Sequence, residues 1–428
     1  MHRVLVCLVV GLSTGALPAA AEAAGARLDP TFGGGRGWVT TRIPGASSIA
    51  YGAAVLPGGK VVLAGQATTP AGDGQILVAR YRRDGRLDRA FGSRGVFKTA
   101  LPAARGPFIA TSVARQRSSG KLLVGGGYGQ NSMLVLRLTR SGRLDRTFGR
   151  DRTGLAQAPA GGIAQSLAVQ RGGGILLGGS NANRNGRPMV VGRFTRNGGL
   201  DRRFGRAGLA EAMFWNPDLA ASAGITGLET TPGGGVIASG HLDYIGSDGH
   251  GSAGVFRLSS SGRPVRGFGS AGHTEVAFTR PAGGFAQWFP CGMVVDSRGR
   301  ITITGDGSAG SGAAILTARL TRKGALDRSF GTARNGRVVT PGGSSGEDTT
   351  CGAASAPAGG LTVGVGSVLA QLRPDGARNR RFARGGLINI ARPRRVTINA
   401  VVRTSSRRLV VAGAAGNSLY AARYRLPR

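Results

Sequence analysis

The only place where histidine and carboxylates gather in this chain is His241-Leu-Asp243-Tyr-Ile-Gly-Ser-Asp248-Gly-His250. Residues of these types can ligate a divalent cation, yet their spacing fits no closed zinc pattern and lacks the Asp-x-Asp-x-Asp run of a calcium loop. A polar surface loop is the simpler reading. An enzyme built here would be a metal-dependent hydrolase drawing on Asp218 and Glu347 as well, and no His-Glu-x-x-His signature accompanies it. We therefore assign no catalytic residue, no metal ligand and no cofactor.

Three other stretches stand out by chemistry. One is Phe214-Trp215-Asn216-Pro217-Asp218, the second Trp288-Phe289-Pro290-Cys291, and the third Glu347-Asp348-Thr349-Thr350-Cys351. Exposed aromatics beside carboxylates suit stacking against sugar rings or apolar peptide side chains, so Phe214, Trp215, Asp218, Trp288, Phe289, Glu347 and Asp348 form a candidate ligand-binding set. The alternative is that Trp215 and Trp288 fill loop cores. Cys291 and Cys351 are each followed by Gly and stand in equivalent register. In an oxidising compartment they are a candidate disulfide that would fix these loops.

The formal net charge is +36, which reads as a polyanion footprint. Lysine accounts for only positions 60, 98, 121 and 323, so 52 of the 56 basic residues are Arg. That skew, beside abundant Ala and Gly, also fits a compositional bias of the genome, and both readings stay open.

The elements that must position these residues come from a repeat. Leu28-Asp-Pro-Thr-Phe32-Gly recurs at Leu87–Phe91, Leu144–Phe148 and Leu200–Phe204, with degraded copies around Phe268, Phe330 and Phe382. Each unit reads as four short strands. In the first they are Gly52 to Leu56, Lys60 to Gly65, Ile76 to Tyr81 and Val96 to Thr99, with turns at Pro57-Gly58-Gly59 and Asp84-Gly85. Four strands per unit, repeated seven times, predict an all-β, seven-bladed propeller. The small-residue strand suits the crowded inner position, so the strand after Phe-Gly is outermost. On that phase the last unit lacks an outer strand and the N-terminal strand near Gly37 to Arg42 lacks a blade, so the two complete each other and close the ring.

These residues resemble the delta-60 repeat family of secreted and surface-associated bacterial propellers. The Gly-Gly-Lys turn with its strands, Ala79-Arg80-Tyr81, and Asp84-Gly-Arg-Leu-Asp-Arg-Ala-Phe-Gly92 carry the likeness, which runs from about residue 28 to the end. It implies a propeller fold and export, and no common activity.

Two arginine series follow the repeat. One precedes the motif Phe by eleven residues and the motif Asp by eight: Arg80 and Asp88, Arg137 and Asp145, Arg193 and Asp201, Arg319 and Asp327. Where that Arg is Gln371 the Asp is Asn379, which predicts a structural ion pair inside each blade. The other series, Arg89, Arg146, Arg202, Arg266, Arg328 and Arg380, stands two residues before Phe and predicts a basic ring on one face.

The N-terminus has a basic head, an apolar run from Val4 to Leu17 and an Ala21-Glu22-Ala23 cleavage site. We expect a signal peptide over 1–23 and one propeller over 24–428, exported to the periplasm or the medium, with no integral membrane segment. The function expected is noncatalytic binding of a glycan, a peptide or an anionic envelope polymer, with nucleic acid disfavoured. A structural envelope protein adhering by charge alone is the alternative.

Overall fold

The computed structural model describes residues 25–427 except 100–107, 129–131, 184–187, 213, 215–219, 245–250, 280–285, 309–311, 344–350 and 391–392. The expected signal peptide lies outside the described residues.

Seven antiparallel sheets follow one another along the chain. Blade 1 consists of Ser47–Val55, Val61–Thr68, Gly74–Tyr81 and Val96–Thr99, in that order from the axis outward. Its strands show why the sequence folds this way. The inner strand alternates in burial, whereas Val61–Thr68 and Gly74–Tyr81 are covered on both faces and read as nearly unbroken apolar runs. The inner strands of successive blades adjoin around the whole ring, from blade 1 to blade 7 and back to blade 1.

Blade 7 has Val396–Ser405, Arg408–Ala415 and Ser418–Arg425 from the C-terminus, and its outer strand is Trp38–Thr41 from the N-terminus. Arg27–Leu28 extends the same edge, pairing with Arg425 and Tyr424. The ring thus closes by a shared blade, which leaves no open sheet edge at the seam.

The hydrophobic core is divided into seven parcels, each shared by two neighbouring blades. Val62 and Val78 of blade 1, for instance, pack with Phe108, Val124 and Leu136 of blade 2, and Phe91 lies among them fully buried. Truncating such a Phe to Ala costs about 3–5 kcal/mol. No blade can bury its faces alone, so stability resides in the junctions.

Because the strands alternate in direction, each end of the barrel of blades has its own connections. The turn from inner to second strand and the loop from third to outer strand, which contains Leu-Asp-x-x-Phe-Gly, emerge on one face. We call it the latch face. The loop from second to third strand and the crossing to the next blade emerge on the other, the loop face.

Candidate anion-binding face

The latch face is built from one device used repeatedly. In blade 1, Arg80 Nε donates to Asp88 Oδ2 at 2.9 Å, its guanidinium stacks 4.5 Å from the Phe91 ring, and its Nη1 reaches the Arg140 carbonyl of blade 2 at 2.5 Å. One side chain therefore joins its own blade's third strand, its motif loop and the neighbouring blade. Gly92 N–H adds a bond to the Ser141 carbonyl at 2.8 Å. Gly142 must be glycine: φ is +78° and a Cβ would lie 2.5 Å from the Phe91 ring.

The same contacts recur through Arg137 with Asp145, Phe148 and the Arg196 carbonyl, through Arg193 with Asp201, Phe204 and the Ser260 carbonyl, and through Arg319 with Asp327, Phe330 and the Pro374 carbonyl. Blade 4, with Val265 in place of Asp, keeps the contacts across the junction, from Arg257 Nη1 to the Arg322 carbonyl at 3.2 Å and from Gly269 N–H to the Lys323 carbonyl at 2.8 Å. Blade 6 keeps a neutral version inside the blade, Asn379 Nδ2 donating to Gln371 Oε1 at 2.6 Å. The seam uses the device too. Arg423 Nε donates to Asp29 Oδ2 at 2.8 Å, stacks 4.9 Å from Phe32 and reaches the Arg83 carbonyl of blade 1 at 2.6 Å.

A second cation reaches the same carboxylate in several blades, which the repeat spacing of Arg and Asp did not reveal. Lys60 Nζ lies 2.8 Å from Asp88 and Lys121 Nζ 2.7 Å from Asp145, both from the position after the turn between inner and second strand. Arg408, in the same register, lies 3.3 Å from Asp29. The signal was present in the sequence as a basic residue closing that turn, Gly-Lys in blades 1 and 2. Burial alone would raise these carboxyls. For Asp145, bonds from Lys121, Thr147 and Arg137 outweigh it and hold the group at about 2. For Asp29, burial is likewise overcome, by Thr31, Arg423 and Arg425, again to about 2.

The motif acids are thus engaged in holding the ring together, while the arginines beside them are not. Arg89, Arg146, Arg202, Arg266, Arg328 and Arg380 are all exposed. Others share the face, among them Arg82, Arg83, Arg86, Arg140, Arg143, Arg196, Arg203 and Arg263. The described part of the loop face is different, with Asp73, Glu211, Asp243, Glu275 and Asp306 set against Arg42, Lys98, Arg394 and Arg395. Among the described residues, exposed positive charge is concentrated on the latch face.

The aromatic set needs correction. Trp288 is fully buried at the start of an inner strand, edge-on to Phe278 at 4.8 Å between ring centroids. Phe214 is buried too, edge-on to His273 at 5.3 Å and to Phe256 at 6.4 Å. Both fill gaps between blades, because a large apolar ring gains more from a junction core than from solvent, and neither offers a face to a ligand. Phe289 is half-buried. Trp215, Asp218, Glu347 and Asp348 lie outside the described residues.

Cys291 and Cys351 form a disulfide with 5.4 Å between Cα atoms. It joins the inner strands of blades 5 and 6 rather than loops, which corrects the role read from sequence. At the corresponding bulge of other inner strands a polar side chain makes the crossing. Thr226 Oγ1 donates to the Pro290 carbonyl at 3.0 Å and Asn399 Nδ2 to the Ala50 carbonyl at 2.7 Å. The disulfide is a covalent form of the same inner-ring stitch.

His241 lies 3.8 Å from Asp243, and burial pushes its imidazole below the ordinary value although Asp243 pulls the other way. Asp248 and His250 lie outside the described residues. Among the described residues, no group of three or more His, Cys, Asp or Glu side chains is placed to hold a metal ion. A Gly-x-Ser-x-Gly spacing occurs at Gly11–Gly15, inside the expected signal peptide, and at Gly342–Gly346, between an outer and an inner β-strand. A nucleophile elbow needs a strand-to-helix turn, and Ser344 lies outside the described residues. No helix among the described residues is long and apolar enough to cross a membrane.

Known proteins resemble the chain in two ways. Residues 56–91 and 117–148 match the model of a family described as a domain of unknown function (DUF5122) beta-propeller. Each stretch runs from the first turn of its blade to the latch Phe. No curated protein matches. Among solved structures, a virginiamycin B lyase of Staphylococcus aureus is 11% identical with a TM-score of 0.49, over 91% of this chain and 99% of that one. The polysaccharide lyase Uly1 is 9% identical with a TM-score of 0.47, over 88% and 90%. An α-L-arabinofuranosidase of Fusarium graminearum is 12% identical with a TM-score of 0.43, over 90% and 94%. These likenesses concern the course of the chain only. The chain is a seven-bladed β-propeller, and parts of two of its blades match the model of that propeller family.

Proposed function

We propose that this is an exported, noncatalytic propeller of the delta-60 type that holds an anionic polymer, an acidic polysaccharide or a phosphate-rich envelope polymer, on its latch face. One observation carries the reading: exposed arginine is concentrated on that face, whereas described charges on the loop face are nearly balanced. A compositional bias toward Arg would load both faces alike. Like charges crowded on one surface repel one another at a cost to the folded state, so they are accounted for best by a partner of opposite sign. Arginine also supplies planar, bidentate bonds to sulfate, phosphate and carboxylate. The buried Trp288 and Phe214 remove part of the support for an aromatic site on the loop face.

The test is retention on immobilised heparin across a sodium chloride gradient, comparing the native protein with Arg89→Ser/Arg146→Ser/Arg202→Ser/Arg266→Ser. Screening shortens electrostatic reach to roughly 8 Å at physiological ionic strength, so native retention should fall steeply with salt. The variant should elute at clearly lower salt with an unchanged melting temperature. Identical elution of the two proteins would remove the basis for this reading.

A further inference from the structure

We propose that the cleft between blades 6 and 7 on the latch face is a discrete binding site for one oxyanion group of that polymer. The proposal rests on the polyanion reading above and gives it a location.

The cleft exists because this junction lacks both halves of the latch. At each of the other six junctions an Arg crosses to a carbonyl of the next blade's third turn. Blade 6 has Gln371 instead, which is too short to cross and turns back to Thr362 Oγ1 at 2.9 Å and to Asn379. Blade 7 for its part has no continuous third turn to offer. Its third and outer strands are not consecutive in the chain, and the place of that turn is taken by Gly25 and Ala26, with Ala26 N–H bonded to the Phe382 carbonyl at 2.5 Å. What remains open is a cleft of about 810 Å³ running past Pro357, Pro374, Ser406 and Pro427.

Its charge is as unusual as its shape. In five other blades the motif places a carboxylate at the position of Asn379 (Asp29, Asp88, Asp145, Asp201 and Asp327), so this blade has lost the acid without losing the neighbouring cations. Arg378, Arg380 and Arg381 line the cleft and are exposed, and among the described residues none of them meets a carboxylate. The nearby acid Asp375 is taken by Arg373, which pairs with it directly. Arg403 closes the inner end. Its guanidinium is held by the carbonyls of Ser405 at 3.0 Å, Ser406 at 2.5 Å and Ser355 at 3.3 Å, with no carboxylate partner among the described residues. A half-buried cation fixed in place by neutral acceptors keeps its charge for an incoming anion. A smaller cleft at the seam is also lined by arginines, Arg83, Arg408 and Arg423, but Asp29 answers Arg408 and Arg423 there; here four cations besides Arg373 line a cleft that has no carboxylate in its wall.

The experiment measures binding of a heparin-derived hexasaccharide by calorimetry to three proteins: native, Arg378→Ser/Arg381→Ser, and Arg146→Ser/Arg202→Ser. Both variants lose two positive charges from exposed positions on one face, and their melting temperatures serve as the control for folding. A discrete site predicts at least a tenfold loss of affinity for the cleft variant and no more than about threefold for the other, as screened long-range charge allows. Equal losses in the two variants would overturn the cleft while leaving the face as the binding surface. No loss in either would overturn both. Inorganic pyrophosphate, tested in parallel, tells whether the cleft takes an oxyanion as such or only one borne on a sugar chain. Cleft-dependent binding of the hexasaccharide supports the proposal in both cases.

Discussion

The two faces of this propeller are made by the same strands and differ in almost everything else. On the latch face, six of the seven junctions repeat an Arg crossing and five add a cation stacked on a Phe, so the backbone there is tightly specified. On the loop face the connections differ in length and composition from blade to blade. The difference shows where a ring of repeats stores its stability. Blades cannot stand alone, so the contacts that join them must recur, whereas connections that join nothing are free to vary.

Acid gives the largest test of that contrast, because it acts on every charged latch at once. Asp29 and Asp145 are held at about 2, well below the ordinary 3.8, and Asp88 and Asp327 are also lowered. A carboxyl depressed in the folded state stabilises fully above its unfolded value and ceases to do so as pH falls through the folded one. Asp29 and Asp145 each contribute roughly 2–3 kcal/mol at neutral pH. The free energy of unfolding should therefore be insensitive to these groups above pH 5 and drop steeply between about pH 4 and pH 2. A flat profile through that window would mean that the latches hold little.

Single substitutions should then rank the latches by burial. Asp29 is fully buried with Arg423, Arg425 and Arg408 around it, and its replacement by Ala strands three cations at the seam. Breaking a buried pair costs about 3–5 kcal/mol, and here it also loosens ring closure. Asp201 has Arg193 alone, since Gly174 stands where Lys121 stands in blade 2, and its side chain is 27% exposed. Asp201→Ala should cost roughly 1–2 kcal/mol, nearer the worth of an exposed charge-assisted bond. Denaturant midpoints for the two variants decide the order, and a reversal would place the stability of the ring elsewhere than its seam.

How much of this was legible in the sequence follows the same division. The latch was readable because it repeats. Covariation of Gln371 with Asn379 within one chain pointed to an Arg–Asp contact before any coordinates, and the phase of the small-residue strand fixed which terminus completes blade 7. What spacing could not show was direction out of the blade. The crossing of Arg80 to the Arg140 carbonyl links residues 60 apart, and nothing local marks it. The aromatic reading failed for a related reason. Trp288 and Phe214 interrupt the repeat, and an interruption looks alike whether it serves a ligand or fills an irregular junction. Burial decides that, and burial depends on the neighbouring blade. The charge, ambiguous as a total, became informative only once strand direction sorted it by face.

The smallest expected effect is also the sharpest, because it separates two residues that adjoin in sequence. Asp327 is buried against Arg319, with Arg300 3.8 Å away, and Arg328 next to it is exposed. Arg328→Ser should change unfolding free energy by no more than about 0.5 kcal/mol, as surface substitutions away from special contacts do. Asp327→Ala should be destabilising by several times that. If the loop existed only to latch blades, Arg328 would be dispensable in every assay. The binding reading requires instead that Arg328→Ser, silent in melting, lower the salt at which the protein leaves heparin. A variant silent in both would confine the repeat to architecture and return the basic ring to composition.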